Sequence, residues 1–392
     1  MKYRTIVGIW LAWTAVVLVF PVLVTSRFAP LRPDRVLPWT ARLTGDTATA
    51  ARASAAPVLR EHAGWDSTYY LTIASGGYDD PSIQTVPSAA GGRVSLTYAF
   101  FPLYPLTMRA VAMPLRALGM ETRAALISAG VLLSLLGTLA AMLAIATIAG
   151  AEDAETGVRA AAYAVIFPGA IFFALVYSDA LFAGLAFASL ALMRRRIWIA
   201  AALAAAATLT RGVGVALAAP LLLSGFLDQR VRSGRVRFVA ALAPLAAFAV
   251  WRATLGAGFD DVERTYFHRI PFDVPASLAQ WRAVFAALPA ASPAFAVYEG
   301  IELGAIALAA VSIAATWRRY PEAALFSALA LAVCVFSVAA SSMVRYMAVI
   351  PAIPLALAHW GSNAAVDRAW TMIAITLFAL LLALFSFGFW VG

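Results

Sequence analysis

The 392-residue sequence has one cysteine, one lysine and three histidines, and only 12% of its residues are charged. An ordinary soluble domain carries about 25% charged residues, so a soluble enzyme is excluded. The lone Cys334 excludes an internal disulfide framework and says nothing about redox compartment. His62, His268 and His359 fall at no metal-ligand spacing. No glycine-rich phosphate loop, nucleophile elbow or nucleotide-binding fold pattern is present, so a nucleotide-bound sugar has no recognisable cradle. What is present is apolar: 63% of residues are hydrophobic, and mean hydropathy is +0.84. Long uncharged runs recur along the whole chain. A single integral membrane domain spanning 1–392 follows.

The net charge is +9, almost all of it from arginine. A pI near 10.0 fits nucleic-acid binding in a soluble protein. Here the arginines sit beside apolar runs, which is the positive-inside pattern, and no nucleic-acid partner is expected. The Ala/Arg richness points to a GC-rich bacterial genome, and hence to the cytoplasmic membrane of a bacterium.

Lys2 and Arg4 precede an apolar run from Ile6 to about Thr25, read as a first transmembrane helix starting in the cytoplasm. The stretch 27–98 is the one long polar segment. It carries Arg27, Arg32, Arg35, Arg42, Arg52, Arg60 and Arg93 with Asp34, Asp46, Glu61, Asp66, Asp79 and Asp80. It is expected to be a first extracytoplasmic loop, and a loop of that length is usually functional. Further apolar runs lie at about 99–118, 124–149, 158–176, 179–193, 197–227, 237–255, 300–317, 321–341, 344–360 and 369–390. The expected architecture is an all-α polytopic bundle of roughly 10 to 12 transmembrane helices.

Arginine clusters set the topology. Arg194, Arg195 and Arg196, then Arg230, Arg232, Arg235 and Arg237, then Arg318 and Arg319 all belong in the cytoplasm. For the first two clusters to share a side, 197–227 must be a hairpin or re-entrant segment with Arg211 near its outer tip. The segment 256–299 becomes a second extracytoplasmic loop, with an amphipathic interfacial helix marked by Leu278, Trp281, Phe285 and Leu288. Parity requires one of the two runs in 99–149 not to cross. Arg109 and Arg116 make 99–118 the weaker one. No inverted repeat of the transporter kind is visible.

This topology gathers Asp66, Asp179, Arg211 and Arg345 on one face. Ionisable groups at membrane depth cost about 2.5–3.5 kcal/mol each on insertion scales and usually line a wet cavity. Arginine pairs bidentately with phosphate oxygens. Snorkelling, or pairing with the two aspartates, accounts for the arginines about equally well. In Gly64-Trp65-Asp66-Ser67-Thr68-Tyr69-Tyr70-Leu71, Asp66 is either a general base between sugar-stacking aromatics or an N-cap for a helix at 67–74. From these residues alone the cap is favoured. His62 reads as a surface histidine.

At these positions the sequence resembles the bacterial relatives of the second mannosyltransferase of glycosylphosphatidylinositol assembly. This is the PIG-V-like family of the GT-C superfamily of polytopic glycosyltransferases. The matching stretches are Trp65-Asp66 with Tyr69-Tyr70-Leu71, Ile73-Ala74 and Gly77-Tyr78, then Phe100-Phe101-Pro102-Leu103-Tyr104-Pro105. Tyr177-Ser178-Asp179-Ala180-Leu181-Phe182, Thr208-Leu209-Thr210-Arg211 and Arg345-Tyr346 follow in order. Where this chain has Ser178-Asp179 the family usually shows Thr-Glu.

The resemblance implies a GT-C-like fold and inverting transfer of a sugar, in this family mannose. The donor would be a polyprenyl phosphate and the acceptor a lipid or glycan, on the extracytoplasmic face. Asp66 would be the catalytic base. Arg211 and Arg345 would hold the donor phosphate. Trp65, Tyr69, Tyr104, Tyr177, Asp179 and Tyr346 would contact substrate. No cofactor is implied; a divalent metal shared by Asp66 and Asp179 is compatible with the chemistry, although no ligand cluster demands one. The competing readings are a lipid or sugar flippase and a non-catalytic membrane subunit.

Overall fold

The structure is a computed structural model, and it describes residues 2–28, 33–37, 39–40, 59–151, 153–227, 234–337 and 341–392. Arg32, Arg42, Arg52, Asp46, Arg230 and Arg232 lie outside the described residues. The chain is an all-α polytopic membrane protein. Five helices are long and apolar enough to cross a bilayer. They are α1 (Lys2–Arg27), α4 (Thr122–Ala149), α9 (Gly234–Leu255), α12 (Pro293–Thr316) and α16 (Ala364–Ser386). Their starts are chemically marked. Glu121 accepts hydrogen bonds from the first free N–H groups of α4, Ser292 does so for α12, and Asn363 for α16.

Shorter helices complete the bundle: α5 (Ala154–Ile166), α6 (Asp179–Leu192), α7 (Ile197–Thr210), α8 (Ala218–Leu227), α13 (Pro321–Val335), α14 (Met343–Met347) and α15 (Ala352–Trp360). The polar loop after α1 holds α2 (Ser67–Ser75) and a hairpin of β1 (Thr85–Pro87) and β2 (Arg93–Ser95), with Val86 opposite Val94.

The run at 99–118 becomes α3 (Leu103–Ala117). At 15 residues it is about 22 Å long, against a hydrocarbon core of about 30 Å. Arg109 donates from Nε to the Ala74 carbonyl and from Nη2 to that of Ile73, so α3 is tied to α2 in the polar loop.

The run at 197–227 folds back on itself. Arg237 Nη1 donates both to the Met193 carbonyl, just before α7, and to Ser224 Oγ, near the end of α8. Both ends of the run therefore meet. The turn falls at Arg211, whose backbone is extended, followed by a 3₁₀ segment Gly212–Leu217. Arg194 pairs with Glu322 at the start of α13, at this same end. One end of the bundle is thus rich in arginine.

His62 is not at the surface. It is fully buried, and its Nε2 contacts the Val17 carbonyl at 2.9 Å, because the 3₁₀ turn Arg60–His62 packs against the middle of α1. In the second loop, α10 (Gly258–Thr265) and α11 (Val274–Ala287) form. The expected apolar face of α11 is divided. Trp281 and Val284 are buried, whereas Leu278 and Phe285 stay exposed, the pattern of a helix meeting both protein and lipid.

The tightest crossing joins α4 and α6. A Cβ on Gly137 would lie 2.7 Å from the Ala180 backbone, and one on Gly184 would lie 2.7 Å from the Gly137 carbonyl. Glycine is required at both places, as in other close helix crossings within membranes. Nearby, Ser134 Oγ donates to the Leu175 carbonyl and Thr138 Oγ1 to that of Phe173. These contacts fix the segment that delivers Asp179. Gly137→Val should therefore lower the melting temperature of the protein in lipid, with a cost of about 1–3 kcal/mol or more. Gly8→Val, where a Cβ meets nothing within 4 Å, should leave it unchanged. Equal melting of the two variants would contradict this packing.

Candidate active site

Four charged residues, spread over 279 positions of sequence, meet at the end of the bundle away from the arginine-rich pole. Asp66 comes from the first turn before α2, Asp179 opens α6, Arg211 sits at the hairpin tip, and Arg345 lies on α14. Arg345 is the hub. Its Nη1 donates to Asp66 Oδ2 at 2.8 Å, and its Nη2 donates to Asp179 Oδ2 at 3.0 Å. Its Nε reaches both Asp179 oxygens at 3.2 Å. Arg211 Nη1 donates to Asp179 Oδ1 at 2.5 Å.

Burial grades the four. Asp179 has no side-chain exposure and Arg345 has 6%, whereas Arg211 and Asp66 keep 17% and 21%. Asp179 is thus the buried counter-charge that holds two arginines side by side. Arg345 is also clamped between rings, its guanidinium carbon 4.5 Å from the Tyr177 centroid and 4.8 Å from that of Phe172. One N–H on each of its two terminal nitrogens is not used by these four contacts.

Asp66 does not act as a cap. Although it precedes α2, its side chain makes no capping hydrogen bond and turns instead to Arg345. The backbone here is strained. Trp65 has φ 53°, in the left-handed region, which costs about 1–3 kcal/mol for a residue with a Cβ. Surrounding contacts hold it. Tyr177 Oη donates to the Gly64 carbonyl and accepts from Asp66 N–H, bridging the strained residue. Trp65 also packs edge-on against Trp390 and Trp39. On the other side of the ion pair Ser342 has φ 68°. Both supports of the Asp66–Arg345 contact are therefore strained, as is common at functional sites.

A cavity of about 830 Å³ opens beside this cluster. Trp65, Asp66, Tyr69 and Arg345 line it. Tyr104 and Tyr177 do not. Tyr104 is fully buried and hydrogen-bonds Gly130 and Ser134, and Tyr177 is engaged by the backbone around Asp66. Both stand behind the carboxylates as support. Asp179 and Arg211 likewise form the second layer. Tyr346 lies beneath Arg211, whose guanidinium carbon is 5.4 Å from its ring. No group of three or more metal-ligating side chains suited to an ion forms among the described residues.

The sequence model of the mannosyltransferase (PIG-V) family matches residues 13–226, more than half of the chain. The chain belongs to the PIG-V mannosyltransferase family. The match includes Asp66, Asp179 and Arg211 and stops before Arg345. Curated proteins give no significant match. Among solved structures, this family member is similar to ArnT from Cupriavidus metallidurans bound to undecaprenyl phosphate. That similarity has a TM-score of 0.44 and 15% identity, covering 83% of this chain and 72% of that one. For ArnT in the apo state the values are 0.46 and 15%, with 97% and 76% coverage. The Archaeoglobus fulgidus oligosaccharyltransferase complexed with zinc and sulfate gives 0.42 and 16%, covering 94% of this chain and 53% of that one.

The structure adds residues that sequence reasoning missed. Arg269, from the loop between α10 and α11, lines the cavity and donates from Nη2 to Tyr346 Oη at 2.8 Å. Burial opposes its charge, but Tyr346, Glu263 and Asp66 outweigh that and hold its pKa above the usual value. Burial also pushes the neighbouring Glu263 carboxyl above its ordinary range, with Arg269 pulling the other way. Trp390 reaches the same wall from beyond α16, its N–H bonded to Asp34. Nothing in the local sequence around Arg269 marks it, since the second loop carries several arginines at irregular spacing.

Removing the hub leaves Asp66 without its cation and Asp179 with Arg211 alone. Arg345→Met should cost about 3–5 kcal/mol of stability, the range for breaking a buried pair. Arg345→Lys should recover only part, because an ammonium cannot span both carboxylates as the guanidinium fork does. Melting temperatures in lipid nanodiscs check this; an Arg345→Met protein as stable as wild type would refute the hub.

Proposed function

We propose that this membrane glycosyltransferase moves mannose from a polyprenyl-phosphate donor to a lipid or glycan acceptor, inverting the anomeric centre on the extracytoplasmic face. The observation that carries the reading is the convergence of Asp66, Arg345 and Arg269 on one cavity at the bundle end opposite the arginine-rich pole. The excess of arginine at that pole favours its cytoplasmic placement, which supports an outward-facing cavity. Family membership supports mannose as the sugar.

In the proposed step the acceptor hydroxyl oxygen attacks the anomeric carbon of the donor. The bond from that carbon to the phosphate oxygen breaks, and its electron pair leaves with the polyprenyl phosphate. Attack from the face opposite the phosphate inverts the centre. The hydroxyl proton goes to the Asp66 carboxylate, which Arg345 orients through Oδ2. The leaving phosphate is already ionised, so charge stabilisation serves it better than a general acid. Arg345 and Arg269 supply that charge at the cavity wall. Arg211 acts from behind by sharing Asp179, so that Asp179 does not neutralise Arg345 alone.

Transfer of radiolabelled mannose from polyprenyl-phosphate-mannose into a membrane lipid extract tests the reading. Wild type should give a labelled product. Asp66→Asn should lose about 10²–10⁴ in turnover, the range for a general base, while still binding donor. Equal transfer by both proteins would remove Asp66 from the mechanism. Donor transit across the bilayer without product would instead favour a flippase.

A further inference from the structure

The cavity has a second wall whose chemistry the reaction above does not use. It is built by α11 and α12, and it carries Glu299. This residue is only 2% exposed, yet neither oxygen makes a hydrogen bond or ion pair among the described residues, and Oε2 is a buried atom without a partner there. A buried carboxyl oxygen left unpaired costs stability and calls for a partner such as a water, an ion or a ligand.

Its surroundings are ordered. Glu302, one turn further along α12, accepts the Val344 N–H with Oε2 at 3.0 Å, so that turn is level with α14 and Arg345. Glu299 therefore sits about 4.5 Å further along the helix axis toward the open end. Tyr298, beside it in sequence, accepts the indole N–H of Trp390 at 3.2 Å. Trp390 in turn packs against Trp65 at 5.2 Å between centroids, next to Asp66. Trp65, next to the base, Trp390 and Glu299 all line the one cavity, and Tyr298 holds Trp390 from behind.

We infer that Glu299 is the specificity-determining residue for the acceptor, accepting hydrogen bonds from hydroxyl groups of an acceptor pyranose seated against Trp390. The inference rests on the transferase reading and deepens it. A phosphate is repelled by an unpaired carboxylate, so this wall is unsuited to the charged part of the donor. A neutral polyhydroxylated ring suits it, because hydroxyls donate to the carboxylate while the C–H face lies against indole. Glu302, held by the Val344 N–H, is spent on positioning α14.

The test uses the whole protein in nanodiscs with mannosyl farnesyl phosphate as donor and octyl α-mannoside as acceptor probe. Hydrolysis of the same donor by water is measured in parallel. Glu299→Gln and Glu299→Ala should each raise KM for octyl mannoside about tenfold or more, the effect of losing a charge-assisted hydrogen bond. Donor hydrolysis should be unchanged in both. Both variants should also melt at or above the wild-type temperature, because an unpaired buried charge has been removed. An unchanged acceptor KM would overturn the inference. So would a parallel rise in KM for donor hydrolysis, which would move Glu299 to the donor side, and so would a drop in melting temperature, which would make it structural. If wild type neither transfers nor hydrolyses mannose, the transferase reading itself fails; a fall in melting on Glu299→Gln would still reject Glu299 as a free ligand group.

Discussion

The Arg345 guanidinium, bonded at once to Asp66 and Asp179, is the contact on which the rest of the site depends. It joins the polar loop after α1 to the membrane helices, and Asp179, its partner, also holds a second arginine. Alternating signs are what make such a cluster tolerable in a membrane protein. A lone charge there is costly, whereas each of these has an opposite partner at hydrogen-bond distance. The same arrangement leaves functional capacity. Asp66 stays accessible at the cavity, and Arg345 keeps N–H groups that the aspartates do not consume.

Several features of the fold serve this contact. Gly169 brings the 3₁₀ segment Pro168–Phe173 so close to α14 that a Cβ would collide with the Val344 carbonyl. That close packing places Phe172 and Tyr177 against the guanidinium. Glu302 anchors the backbone of α14 at Val344. Left-handed backbone at Trp65 and Ser342 carries the chain into the contact from both sides. Strain of this kind persists only where neighbours over-determine the conformation, and here Tyr177, Trp39 and Trp390 do so.

Much of this was legible in the sequence because bilayers impose a simple code. Apolar length marked out the helices, five of which among the described residues are long and apolar enough to cross a bilayer, against the roughly 10 to 12 crossings expected. Arginine asymmetry called for a hairpin or re-entrant segment at 197–227, and the run does fold back, with Arg237 joining Met193 to Ser224. Asp66, Asp179, Arg211 and Arg345 stood out because charge at membrane depth needs a reason. Other features depend on long-range packing that no local pattern encodes. His62 looked like a surface residue because its neighbours are polar, but its burial comes from α1, 45 positions away. Tyr104 and Tyr177 carry the right chemistry for sugar contact and lie one layer too deep. Arg269 and Trp390 come from remote segments and join the site only through tertiary folding.

The central claim is that this cluster receives a lipid-linked phosphate. The most direct measurement is the equilibrium binding of farnesyl phosphate and of farnesol to the purified protein in nanodiscs. The account predicts that the phosphate binds and the alcohol does not compete with it, and that Arg269→Gln weakens phosphate binding about tenfold, the scale of one charge-assisted hydrogen bond. Equal binding of phosphate and alcohol, unaffected by Arg269→Gln, would contradict it.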